Sequence, residues 1–142
     1  MDGKRSRFVE VVDGIRTIPE RRPTTLLTRG WAAALGVGWP LAFLVMVELE
    51  PAPAQPDAAP VLGAVLTLAL LTGLMLTAVA AGTRQLLAAP AAVGTGLVAL
   101  TMSVACPASG HHSYGAWWFG QMAIVVAMLA VSVAALGSRA RT

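Results

Sequence analysis

Four long apolar runs separated by short polar stretches constrain this chain more than any other feature of its sequence. They cover residues 31–49, 60–81, 86–105 and 116–136. A helix rises about 1.5 Å per residue, so about 20 apolar residues cross the hydrocarbon core of a bilayer. Charged types make up only 12% of the 142 residues, well below the share in an ordinary soluble domain. The pattern predicts an all-α integral membrane protein with four transmembrane helices.

The positions of the charges predict how these helices are oriented. All ten Lys and Arg residues lie before the first run, at Arg84, or at Arg139 and Arg141. Short connections favour an antiparallel four-helix bundle, which places these three regions on one side of the membrane. Because basic residues mark the cytoplasmic side, we expect both termini in the cytoplasm and the bundle in the inner (plasma) membrane. The basic residues do not indicate a nucleic-acid-binding face, and the expected partner is the lipid bilayer.

The sequence divides into three regions. Residues 1–29 form a basic cytoplasmic arm, residues 30–138 the membrane domain, and residues 139–142 a cytoplasmic tail. Apolar residues in the arm recur at three- and four-residue spacing, which predicts an amphipathic helix that lies on lipid headgroups or docks on a partner. These residues are Phe8, Val11, Val12, Ile15 and Ile18.

Small residues recur every fourth position on two of the predicted helices. The second run carries Gly73, Thr77 and Ala81, and the third carries Thr95, Ala99 and Ser103. Small side chains let the backbones of two membrane helices approach closely. We therefore expect tight helix association, either within the chain or in a homo-oligomer or larger membrane complex.

Chemically versatile side chains gather between the third and fourth runs, on the predicted exterior side. We expect the third helix to end at Cys106 and Pro107. Trp117 and Trp118 then start the fourth helix at the membrane interface, where indole rings are favoured. Gln121 follows about one turn inside, where its amide needs a partner. We assign Trp117, Trp118 and Gln121 to interface and packing roles.

A metal site is one hypothesis for this exterior region. Thiolate and imidazole ligands suit Zn or Cu, so His111, His112 and Cys106 are candidate ligands, and a haem is a further possibility. Glu48, or Glu50, at the end of the first helix would complete the site. Both histidines could bind one ion only if the loop bends between them, which Gly110 makes possible. The alternative is that the histidines are solvated or bonded to nearby carbonyls. No orienting acid or oxyanion pattern accompanies these residues, so we predict no catalytic activity.

Three functions follow from these features. We favour an accessory, assembly or stabilising subunit, and the first alternative is a metal- or haem-binding membrane protein. In length and number of spans the chain also resembles the small multidrug-resistance transporters, which implies a small oligomeric transporter dependent on an acidic residue in the first span. Here Glu48 lies near the outer edge of that span. A transporter would need a polar cavity that reaches Gly36 and Trp39, beside Pro40, which we expect to kink the first helix.

Overall fold

The computed structural model describes residues 26–53 and 60–138. Within these residues there are four α-helices and no strand. They are α1 (Arg29–Leu49), α2 (Pro60–Gly82), α3 (Ala88–Ala108) and α4 (Ala116–Ser138). Each helix is long and apolar enough to cross a membrane. The prediction of four apolar helices is confirmed, whereas the predicted amphipathic helix of the arm and the tail at 139–142 lie outside the described residues.

The helix bounds lie within three residues of the predicted runs. α1 begins at Arg29, two residues before the predicted start, and Thr28 caps it, because the Thr28 Oγ1 accepts a hydrogen bond from the Trp31 amide at 3.4 Å. α3 ends at Ala108, one residue beyond the predicted end at Cys106 and Pro107. A proline inside a helix leaves the carbonyl four residues earlier without its donor. Here the carbonyl of Ser103 instead accepts the indole N–H of Trp118, at 2.9 Å.

Neighbouring helices along the chain pack against each other, and α1 also packs against α4. The centre of the core is Trp39, whose side chain is fully buried. Its indole N–H donates to Ser132 Oγ at 3.0 Å, and that hydroxyl donates to the Met128 carbonyl at 2.7 Å. The ring fits because Gly96 has no side chain, since a Cβ there would lie 3.1 Å from Trp39 Cζ2. A single hydrogen-bonded indole thus joins α1 to α4 against the backbone of α3.

The two faces of small residues meet each other within the chain. Thr77 and Thr95 are buried, and their hydroxyl oxygens lie 3.2 Å apart. Gly73 sits directly against Thr95, because an added Cβ would lie 2.6 Å from Thr95 Oγ1. Thr95 Oγ1 also donates to its own helix, at the Ala91 carbonyl. The predicted tight association is therefore confirmed as the contact between α2 and α3.

The turn between α2 and α3 is a Schellman motif with an unusual residue in its left-handed position. The Gln85 amide donates to the Ala80 carbonyl at 2.7 Å, and the Arg84 amide donates to the Ala81 carbonyl at 2.9 Å. Arg84 has φ 55°, a conformation that glycine usually occupies. Its side chain compensates, because Nε donates to the Leu27 carbonyl at 3.0 Å. The turn is thereby fastened to the segment that leads into α1.

Candidate functional site

The residues predicted to face the exterior, Cys106, His111 and His112, lie beside an opening between α2 and the other helices. No side chain from Val61 to Ala69 is buried, and burial in α2 begins at Leu70. The space left by this half of α2 is a cavity of about 550 Å³. Its wall includes four of the chemically versatile residues, Glu50, Cys106, His111 and His112. The site is therefore a pocket with mainly apolar walls and a polar rim, as small-molecule sites commonly are.

The centre of this rim is a pair formed by His112 and Glu50. His112 Nε2 lies 2.9 Å from Glu50 Oε1, and the histidine is only 5% exposed. Of the two carboxylates named as candidates, Glu48 and Glu50, it is Glu50 that contacts a histidine. Glu48 is exposed in the last turn of α1, whereas Glu50 caps that helix. Two residues along a helix turn a side chain by about 200°, so only one of the two carboxylates can face the loop.

His112 Nδ1 is buried and has no hydrogen-bond partner. When Nε2 of a neutral imidazole donates to a carboxylate, the other nitrogen holds an acceptor lone pair. This is the arrangement in which metal-bound histidines are commonly oriented by a carboxylate. Two rings pack edge-on against His112, with centroid separations of 4.5 Å to His111 and 5.6 Å to Trp117. The pair therefore presents one unsatisfied nitrogen inside an aromatic enclosure.

The loop that carries the histidines starts from a second Schellman motif. The His111 amide donates to the Cys106 carbonyl and the Gly110 amide to the Pro107 carbonyl, both at 3.1 Å. Gly110 has φ 78° and occupies the left-handed position. Gly110 turns the chain sharply after α3, and His112 then lies against Glu50 at the end of α1. The bend between the two histidines that would bring both to one ion stays a prediction.

A second cavity, of about 220 Å³, adjoins the first and extends towards the core. Both cavities are bordered by Glu50 and Cys106, and the inner one reaches Gln121. Cys106 is a free, half-buried thiol. Apolar side chains form most of the inner wall, including Phe43 and Leu70. The opening thus narrows from a polar rim to an apolar interior.

Gln121 has the partner that its depth in α4 requires. The side chain is buried, and Nε2 donates to the Met46 carbonyl at 3.0 Å. That carbonyl is available because Pro51 has no amide hydrogen to give to Val47, and the Glu50 amide donates to Val47 instead, at 3.2 Å. Gln121, on α4, therefore supplies a hydrogen bond that the last turn of α1 lacks.

Sequence reasoning missed two hydrogen bonds that α4 gives to carbonyls near a proline, from Trp118 to Ser103 and from Gln121 to Met46. It placed Trp118 and Gln121 in packing roles without naming acceptors. The signal was present in the sequence, since Pro51 and Pro107 each remove a helical donor near a helix end. Trp117 differs from Trp118, because its indole donates within its own loop, to the Ser113 carbonyl at 3.0 Å.

The predicted metal ligands are only partly brought together. His111, His112 and Cys106 all border the outer cavity, and Glu50 replaces Glu48 as the neighbouring carboxylate. Within residues 26–53 and 60–138, no group of three or more His, Cys, Asp or Glu side chains is placed to hold a metal ion. The metal or haem site stays a prediction.

Comparison with known proteins gives no family for this chain: no protein-family model matches it, and neither does any curated protein or solved structure.

Proposed function

We propose that the chain is a multi-pass inner-membrane protein. The outward faces of all four helices support this, because they carry large apolar side chains that are exposed. Examples are Val61 at 76%, Leu68 at 66% and Met75 at 67% exposure on α2. A helix that is apolar on every side is stable only inside a protein core or a membrane. Four such helices in one small chain favour the membrane.

We further propose an antiparallel bundle with both termini in the cytoplasm. Two contacts support the antiparallel arrangement of α1 and α4, since Trp39 meets Ser132 and Met46 meets Gln121. The charged residues support the orientation. Arg29 and Arg84 border one cavity, whereas Glu50 borders the cavities at the other end of the helices. Basic residues favour the cytoplasmic side, which makes the His112 end exterior.

The proposed role is that of an accessory, assembly or stabilising subunit without catalytic activity of its own. One observation carries this proposal: the buried polar side chains join helices to each other. Trp39 pairs with Ser132, Thr77 with Thr95, and Gln121 with the end of α1. Polar groups that bond across helices hold a membrane bundle together. Such an interior serves stability and leaves the outer faces for lipid or a partner subunit.

Gentle crosslinking in native membranes tests this role. An accessory subunit should appear in a crosslinked complex with another membrane protein or with further copies of itself. A matched sample in which the chain is overproduced alone shows which of these contacts are self-association. A strictly monomeric protein that captures no membrane partner would remove the basis of the proposal.

A second candidate function is ligand binding at the exterior pocket, with Zn, Cu or haem as the ligand. The unpartnered His112 Nδ1 favours it, because a buried nitrogen without a hydrogen bond destabilises the fold by about 1–3 kcal/mol unless a ligand satisfies it. Wild type should contain metal or show haem absorbance, and a His111→Ala, His112→Ala variant should show less of either. Glu50→Gln should also lower occupancy, and Glu48→Gln provides the matched control because Glu48 is exposed. Equal, near-zero occupancy in all four proteins would exclude this function.

A small oligomeric transporter is the third candidate. It needs a polar cavity that reaches Gly36 and Trp39. Gly36 borders the cavity beside Arg29 and Arg84, whereas Trp39 is fully buried and borders neither that cavity nor the two beside Glu50. A transport path at Trp39 would therefore require its side chain to move. Substrate uptake into vesicles that is lost in a Trp39→Ala variant but kept in Trp31→Ala would favour this candidate.

A further inference from the structure

A groove between α1 and α2 lies at the arginine end of the helices, away from the exterior pocket. Its volume is about 370 Å³. Gly36 and Ala81 border it where the two helices come closest, since a Cβ added at Gly36 would lie 3.0 Å from the Ala81 Cβ. Ala33 and Val37 also border the groove and are exposed, so it opens onto the outer surface. In a membrane this groove would face lipid.

Both arginines of the described chain border this groove. Arg29 is the first residue of α1, and Arg84 occupies the turn after α2. Arg84 is held by two bonds to Leu27: its Nε donates to the Leu27 carbonyl, and its own carbonyl accepts the Leu27 amide at 2.8 Å. Leu27 is itself 3% exposed, which anchors the turn. Among residues 26–53 and 60–138 no acidic side chain borders the groove, so these walls do not neutralise the two arginines.

We propose that this groove binds one acidic phospholipid. Arg29 and Arg84 would contact the phosphate, and an acyl chain would lie along the small apolar residues. Guanidinium groups suit phosphate because they present several donors in one plane. A free phosphate would use only the mouth of the groove, whereas a lipid also matches the apolar walls. This inference rests on the proposed membrane insertion, and it adds a specific lipid site to it.

Native mass spectrometry of protein released from nanodiscs tests the lipid site. The nanodiscs contain equal parts of phosphatidylglycerol and phosphatidylcholine with matched acyl chains. Wild type should retain phosphatidylglycerol in preference to phosphatidylcholine. Arg29→Gln should reduce that preference about five-fold, the effect of removing one arginine beside an acidic headgroup. Ala33→Leu, which narrows the groove without changing charge, should reduce it as well.

Two control variants separate the groove from general effects. Arg139→Gln removes the same charge from the tail, and Ala127→Leu enlarges an exposed alanine on α4. Both should keep the preference of wild type. Equal retention of the two lipids by wild type would overturn the lipid site. A loss of preference in Arg139→Gln as large as that in Arg29→Gln would overturn it as well. Displacement of the lipid by soluble glycerol phosphate would also overturn the lipid site, because the acyl chain would then contribute nothing to binding.

The failure of the lipid site can be told apart from failure of the membrane proposal. A protein that is washed from vesicles by alkaline carbonate would contradict membrane insertion itself. A protein that resists the wash and enters nanodiscs but shows no lipid preference would contradict only the groove assignment.

Discussion

The indole nitrogen of Trp118 donates to the carbonyl of Ser103 at 2.9 Å. Pro107, four residues after Ser103, has no amide hydrogen to satisfy that carbonyl. A residue of α4 therefore supplies the hydrogen bond that α3 lacks, and α3 continues through its proline. A related contact joins α4 to α1, where Gln121 donates to the Met46 carbonyl, which receives no bond from the Glu50 amide because that amide donates to Val47. Both contacts lie at the end of the helices that holds the pocket beside Glu50 and His112.

Replacing Trp118 by Phe should lower the free energy of unfolding by about 1–2 kcal/mol, since the Ser103 carbonyl loses its donor. The measurement is SDS titration in mixed micelles. In a Pro107→Ala background the new amide can donate to Ser103, so the cost of Trp118→Phe should be smaller. Trp117→Phe is the control, because its indole bonds within the loop and should show no coupling to position 107. An equal cost of Trp118→Phe in both backgrounds would refute this role.

The sequence was sufficient to predict the four helices, because long apolar runs without charge admit few other structures. It was also sufficient to predict that the small-residue faces with Thr77 and Thr95 pack closely, although not that these two faces pack against each other. It was not sufficient to predict which acceptor a buried donor would reach. The partners of Trp118 and Gln121 depend on how far α4 is shifted along its neighbours, which no local pattern encodes.

The candidate site was predictable in composition and less so in geometry. Gly110 was identified as the residue that makes a bend of the loop possible, and its left-handed conformation follows from its place after a helix. The choice between Glu48 and Glu50 stayed open, because it depends on how the loop after α3 lies over the end of α1. Pro51 ends that helix, so Glu50 leaves the helical path and turns towards His112.

Replacing Gln121 by Met, which is similar in size, should lower the free energy of unfolding by about 1–2 kcal/mol. The Met46 carbonyl would lose its donor while the packing volume is kept. Pro51→Ala should reduce this cost, because a new amide at position 51 can bond to Val47 and release the Glu50 amide for Met46. Gln85→Met changes an exposed amide and serves as the control. The proposed link would be wrong if Gln121→Met and Gln85→Met had the same effect in an SDS titration.

Gly96→Ala should destabilise the bundle, whereas Gly94→Ala should not. A Cβ at Gly96 would lie 2.7 Å from Leu129 Cδ1 and 3.1 Å from Trp39 Cζ2. The leucine methyl can rotate away, but the Trp39 ring is buried and bonded to Ser132. Overpacking of this kind costs about 1–3 kcal/mol. At Gly94 nothing lies within 4 Å of an added Cβ. Thermal unfolding in detergent should therefore separate the two variants, and equal melting temperatures would contradict the close contact at Trp39.

Two substitutions at Arg84 separate backbone strain from the loss of its side-chain bond. Arg84→Ala keeps an L-residue at φ 55° and removes the contact to Leu27, so it should be less stable than wild type. Arg84→Gly also removes the contact but relieves the left-handed strain. It should be more stable than Arg84→Ala by about 1 kcal/mol. Thermal unfolding in detergent measures both. The left-handed turn would be contradicted if the alanine variant were as stable as the glycine variant.

The proposed membrane bundle has its α3–α4 loop outside the cell and its α2–α3 turn in the cytoplasm. Labelling of single cysteines tests it most directly, with Ser113→Cys and Thr83→Cys each placed in a Cys106→Ala chain. Both positions are exposed, in the loop and the turn respectively. A membrane-impermeant maleimide added to intact cells should label the Ser113→Cys protein at once and the Thr83→Cys protein only after permeabilisation. Labelling of both in intact cells, or of Thr83→Cys alone, would contradict the topology.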